Sequence, residues 1–154
     1  MFKIVKILGG RMNVPETIEL EAGSSTASTV TEFKDGQALT FSSGLLAPAS
    51  GSATVDFVCA ENKKITGSGK LQVYKVTPDM VFEVETSAVP SGGVVPGTHY
   101  TVDTTGMKVT GTAVTVSGTV SSGSISTVDI PYGCRVIDKQ GASTAGDKVL
   151  VTLA

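Results

Sequence analysis

The sequence predicts an all-β chain: a small β-barrel or sandwich carrying an extended N-terminal arm. Three observations lead there. Gly, Ser, Thr and Val make up nearly half of the 154 residues. Val and Thr, branched at Cβ, suit a pleated surface better than a helical turn, while Gly and Ser supply turns. From Thr31 onward, short runs of period two recur every eight to fifteen residues or so, with turn residues between them. Beyond residue 30, no apolar repeat of 3.6 residues persists long enough to make a helix. With 40% of residues hydrophobic, the chain can form a core and is not a disordered polar tract. Its length fits one domain, or one domain with an arm, able to bury about two-thirds of its unfolded surface.

Residues 1–30 are read as the arm and 31–154 as the β-domain. The arm opens on MFKIVKILGG, is broken at Gly9-Gly10 and Val14-Pro15, and then alternates through Thr17–Glu21, where Ile18 and Leu20 share a face. In the domain, QALTF (37–41) places Leu39 and Phe41 on one side, and ATVDFVCA (53–60) aligns Val55, Phe57 and Cys59. KLQVYKVT (70–77) and MVFEVET (80–86) flank Thr77-Pro78-Asp79 and are expected to form a hairpin. In the second of these, Met80, Phe82 and Val84 point inward, while Glu83 and Glu85 face water. AVPSGGVVPG (88–97) holds too much Pro and Gly for regular pairing. HYTVD (99–103) is a short strand. MKVTGTAVTVSGTV (107–120) changes apolar phase between Ala113 and Val114, which predicts a bulge or a sheet crossing near Gly111. CRVIDK (134–139) and KVLVTLA (148–154) close the chain around a Gly-Ala-Ser-Thr-Ala-Gly turn.

Charge and composition narrow the partners. A net charge of -2 without a basic cluster, together with the absence of Trp, argues against nucleic acid as a partner, since phosphate binding needs a positive surface. Lys3 and Lys6 interrupt the leading apolar run, so it does not read as a signal peptide, and nothing reaches the ~20 apolar residues of a membrane helix. Synthesis in the cytoplasm is the expectation. Cys59 and Cys134 both sit in strand-like settings and read as two buried thiols rather than a disulfide. With one histidine they are too few to hold a metal, and no cofactor is expected.

Candidate chemistry is sparse. Asp103-Thr104-Thr105-Gly106 resembles the Asp-Thr-Gly of aspartic proteases, but an extra threonine intervenes and only a homodimer would supply the second carboxylate. Turn chemistry explains it better. Thr66-Gly67-Ser68-Gly69-Lys70 lacks the spacing and following helix of a phosphate loop and reads as a hairpin turn. His99 has no nucleophile in a Gly-x-Ser-x-Gly elbow, and Asp103 lies four positions on. Glu83 and Glu85 occupy a solvated strand face, and few aromatic residues are available to stack sugars as a glycosidase would. The chain is read as a non-enzyme.

A structural binding module needs none of these groups, only a rigid body and surfaces repeated by symmetry. Three stretches, Gly44 to Gly51 (Gly-x-Leu, Ala-Pro and a small-residue turn), Val95 to Val102 (Val-Pro-Gly-Thr-x-Tyr-x-Val) and Gly146 to Leu153 (Gly-Asp-Lys-Val-Leu-Val-Thr-Leu), resemble the β-rich decoration, or cement, proteins of tailed-bacteriophage capsids. The likeness runs over residues 31–154, and an N-terminal arm is in character. The resemblance implies a virion protein on the capsid surface, commonly a homotrimer, that clamps neighbouring major capsid subunits. Multivalency would strengthen the grip, and an added strand would bind without special side chains. Phe2, Ile4, Val5, Ile7 and Leu8 are the expected docking strip, with Ile18 and Leu20 second; the competing reading makes this strip the first strand of the barrel. The alternative function is a tail-fibre-type or secreted adhesion domain that binds a surface glycan or protein.

Overall fold

The computed structural model describes residues 1–7, 16–114 and 133–153. All of the regular structure among them is β, in thirteen strands: β1 (Lys3–Ile7), β2 (Thr17–Gly23), β3 (Val30–Phe33), β4 (Ala38–Ser42), β5 (Leu45–Pro48), β6 (Phe57–Cys59), β7 (Lys63–Thr66), β8 (Ser68–Lys75), β9 (Met80–Glu85), β10 (His99–Val102), β11 (Val109–Ala113), β12 (Cys134–Asp138) and β13 (Lys148–Leu153). The strands form an antiparallel six-stranded sheet ordered β1-β9-β13-β12-β10-β11, a closed barrel ordered β2-β5-β4-β6-β8, and a ribbon of β3 with β7. The expected all-β barrel or sandwich class is therefore met, with both a barrel and an open sheet present.

The two bodies share a wall. Period-two alternation sends successive side chains of a strand to opposite faces. Along β6, and at Ala38 and Leu39 of β4, both faces are apolar and both are covered. Leu39, Phe57 and Cys59 point into the barrel with Leu71, Val73 and Leu46. Ala38 and Val58 point the other way, into the core of the six-stranded sheet with Phe82, Val84, Val149 and Val151. Buried Gln37 tightens the junction, accepting from Lys34 N at 3.1 Å and donating to Thr105 O at 2.6 Å. Beside it, Gly106 accepts from Ala38 N at 2.8 Å. Gly106 has φ +70°, and a Cβ there would lie 2.8 Å from Ala38 O, so only glycine fits the close approach.

Alternation on β9 follows the expected register: Met80, Phe82 and Val84 are buried, while Glu83 and Glu85 are partly exposed. β4 and β5 form a hairpin around Ser43-Gly44, both at positive φ, as a two-residue turn matching strand twist requires. In β11 four steps span two on β10, from Tyr100↔Ala113 to Val102↔Val109. A bulge thus lies around Gly111, where the apolar phase predicted one; residues 115–120 of that run lie outside the described residues.

Three expectations are corrected. Residues 1–30 are not an arm among the described positions. β1 pairs along β9, and β2 pairs through all seven of its residues with β8, so both strands lie within the sheets. β8 and β9 do not form a hairpin, because β8 pairs with β2 and β6 whereas β9 pairs with β1 and β13. The Pro-Asp turn, closed by Met80 N donating to Thr77 O at 3.0 Å, carries the chain from barrel to sheet instead of pairing the strands it joins. Gly67 (φ +69°), which donates to Thr29 O at 2.8 Å, likewise sits at a corner where the chain leaves the ribbon for the barrel. Thr66–Lys70 is not a hairpin turn.

Candidate functional site

The expected docking strip divides on inspection. Phe2 is 2% exposed and stacks edge-on against Phe82, ring centroids 6.3 Å apart at 80°. Its amide donates to Gly36 O at 2.8 Å. Ile4 packs partly buried on the same core. These two side chains are committed to the interior, so β1 is a core-packed edge strand, in the six-stranded sheet and not in the barrel as the competing reading had it. Val5 is 45% exposed and Ile18 39%, whereas Leu20 packs against the barrel core. For Ile7 only its backbone place opposite Met80 is described. Leu8 lies outside the described residues.

Val5 faces outward by strand alternation, next to core-facing Ile4, and a bulge follows at once. The pairs Ile4↔Phe82 and Lys6↔Val81 leave Val5 as the extra residue of a bulge. The same irregularity recurs three strands away. Val136↔Val151 and Asp138↔Leu150 leave Ile137 unopposed on β12, and Ile137 is 40% exposed. With half-buried Leu150 of β13 between them, Val5 and Ile137 line one shallow depression on the outer face of the six-stranded sheet. Ile137 and Leu150 escaped sequence reasoning, although the signal was present: within CRVID and KVLVT each is apolar where alternation calls for an outward polar residue.

Charge frames this row. Lys148 Nζ donates to Glu83 Oε1 at 2.7 Å, and that ammonium holds the Glu83 carboxyl below its ordinary range while its own pKa rises. Lys108 and Glu85 lie 3.2 Å apart. Such exposed pairs add little stability, but they leave the apolar row as the part of the face whose hydration is least favourable.

The chemical candidates resolve into structure. Asp103 Oδ1 accepts from Met107 N at 2.9 Å and Lys108 N at 3.1 Å, and Oδ2 from Thr105 Oγ1 at 2.7 Å. Its carboxylate therefore organises the turn between β10 and β11, in keeping with the turn reading. Lys70 continues into β8 with no helix after it, and its ammonium meets Glu21 at 3.1 Å. His99 is half-buried on β10 opposite Arg135. Cys59 and Cys134 are buried and unbridged. Burial pushes both thiols up, Cys134 the further. Among the described residues, no three His, Cys, Asp or Glu gather as metal ligands, and no helix is long and apolar enough to cross a membrane.

No protein-family model matches this chain, and no curated protein matches it. Among solved structures it is similar to the N base of the head fibre gp8.5 of bacteriophage phi29, at 11% identity and a TM-score of 0.48, covering 90% of this chain and 95% of that one.

Proposed function

We propose that this chain is a structural, non-catalytic protein of a bacteriophage virion that docks on the outside of the capsid and braces neighbouring major capsid subunits. The observation that carries the docking is the row of outward apolar side chains, Val5, Leu150 and Ile137, that line one depression on the outer face of the six-stranded sheet. A single exposed apolar residue needs no explanation, but three at outward positions of one sheet, gathered in one depression, favour a covered surface. The capsid as partner rests on the sequence resemblance in residues 44–51, 95–102 and 146–153. In the fold these become a hairpin turn with β5, the approach to and body of β10, and β13. A homotrimer on a symmetric lattice would let each modest contact strengthen the next.

The test is co-sedimentation of the purified chain with expanded, DNA-free capsids of the phage that encodes it. Saturable binding is expected, weakened at least about tenfold by Val5→Glu or Ile137→Glu, as for a central apolar contact. A folded chain that stays in the supernatant at every ratio removes the capsid reading. Binding that ignores both substitutions keeps the capsid and discards this face.

A further inference from the structure

A second groove lies at the mouth of the barrel, where it meets β13 of the sheet at Leu153. Phe41 stands at the mouth of the barrel and is 51% exposed. Phe57 fixes its ring edge-on, centroids 5.5 Å apart at 87°. Both rings line a groove with Pro78, where the chain leaves the barrel. The rim of the same groove carries Thr54, the half-buried Asp56 and the exposed Lys75. The ion pairs among the described residues use other lysines and acids, so the Asp56 carboxylate and the Lys75 ammonium remain open as acceptor and donor.

We propose that this groove binds a neutral pyranose unit of an oligosaccharide. The C–H face of the sugar would lie on the Phe41 ring, with hydroxyls donating to Asp56 and accepting from Lys75 and Thr54. Two features favour a sugar over other ligands. The strands that bear the rings have neighbours on both sides, β4 with β5 and β6, and β6 with β4 and β8. No backbone edge is free there for a peptide strand, and recognition falls to side chains. One carboxylate against one ammonium leaves the rim without net charge, which suits a polyhydroxyl ligand better than a phosphate or a nucleotide. The inference does not depend on the capsid reading, since Phe41 and Asp56 lie outside the Val5–Ile137 row.

The test is amide NMR of the full chain titrated to millimolar concentrations with cellotetraose, maltotetraose and chitotetraose. At least one should shift the amides of Phe41, Asp56, Phe57 and Lys75 in a saturable manner. Phe41→Ala should weaken it about tenfold or more while leaving the melting curve near wild type, because the ring is half in water. Asp56→Asn, which keeps the shape and changes the acceptor, should weaken it severalfold. No saturable shift with any of the three sugars, or binding that survives Phe41→Ala, overturns the proposal.

Discussion

Phe2→Ala asks most directly whether the leading residues are a tail or part of the body. Phe2 is 2% exposed and packs its ring against Phe82. Truncating a buried phenylalanine costs about 3–5 kcal/mol, the sum of lost transfer energy and an unfilled cavity. The edge position of β1 allows some collapse around the gap, so the lower half of that range is expected. A domain of this size loses about 2–4 °C of melting temperature per kcal/mol, so the melt should fall by about 6–16 °C. Urea unfolding followed by far-UV circular dichroism gives the free energy, and differential scanning calorimetry gives the midpoint. A free arm would register only the surface value, within about 0.5 kcal/mol of wild type. That result would refute the placement of β1 and return these residues to solvent. Deleting residues 2–20 is the harsher version. It removes β1 and more than half of β2, opening the barrel along β8, and should leave no cooperative transition.

Other outcomes follow from the same contacts. Gly106→Ala meets a backbone oxygen with no room to move, at positive φ, and should cost about 2 kcal/mol or more in urea titrations. Cys134 and Cys59 should resist a thiol reagent such as DTNB in the native protein and react only at the rate of unfolding. Because burial raises both thiol pKa values in the folded state, their contribution to stability is intact below the unfolded value of about 8.5 and declines as pH climbs above it. The urea midpoint should therefore drop between pH 7 and pH 10. Asp147 has its carboxyl pulled below the ordinary range by the amides of Ser143 and Thr144. The β12–β13 turn is then held above the unfolded value of about 3.9 and loosens as pH falls through the folded one. Carbon-detected NMR titration of the Asp147 carboxyl should give a midpoint lower than that of an exposed aspartate.

What the residues disclose is local, and what they conceal is pairing. The alternation of Met80, Phe82 and Val84 with Glu83 and Glu85 is a property of neighbouring positions and survives folding, although Val81 is buried too. The Gly111 bulge also survives, because a phase slip is written in the strand itself. The identity of a strand's partner is not written there. Thr77-Pro78-Asp79 guarantees a change of direction, yet the same turn serves a hairpin or a passage between bodies, and only the packing of Phe82 and Val84 on Val149 and Val151 decides it. FKIVKIL looked equally suited to docking and to pairing for a similar reason. Its apolar residues divide between core and surface by alternation, Phe2 and Ile4 inward and Val5 outward, which a list of hydrophobic positions cannot show. Val55 was aligned with Phe57 and Cys59 by parity alone. It falls in the other core because the wall is apolar on both sides and β6 begins only at Phe57.

The order of the six-stranded sheet sets a timetable for its assembly. Its neighbours β1, β9 and β13 come from positions 3–7, 80–85 and 148–153, so the beginning, the middle and the last described stretch of the chain lie side by side. Until Leu153 has been synthesised, β9 has one flank open and β12 has lost a neighbour, leaving two half-sheets that cannot yet join. Such distant closures make folding slow relative to helical domains of equal stability. They also leave bare strand flanks on the ribosome, where crowding by identical nascent chains carries its greatest risk of mispairing.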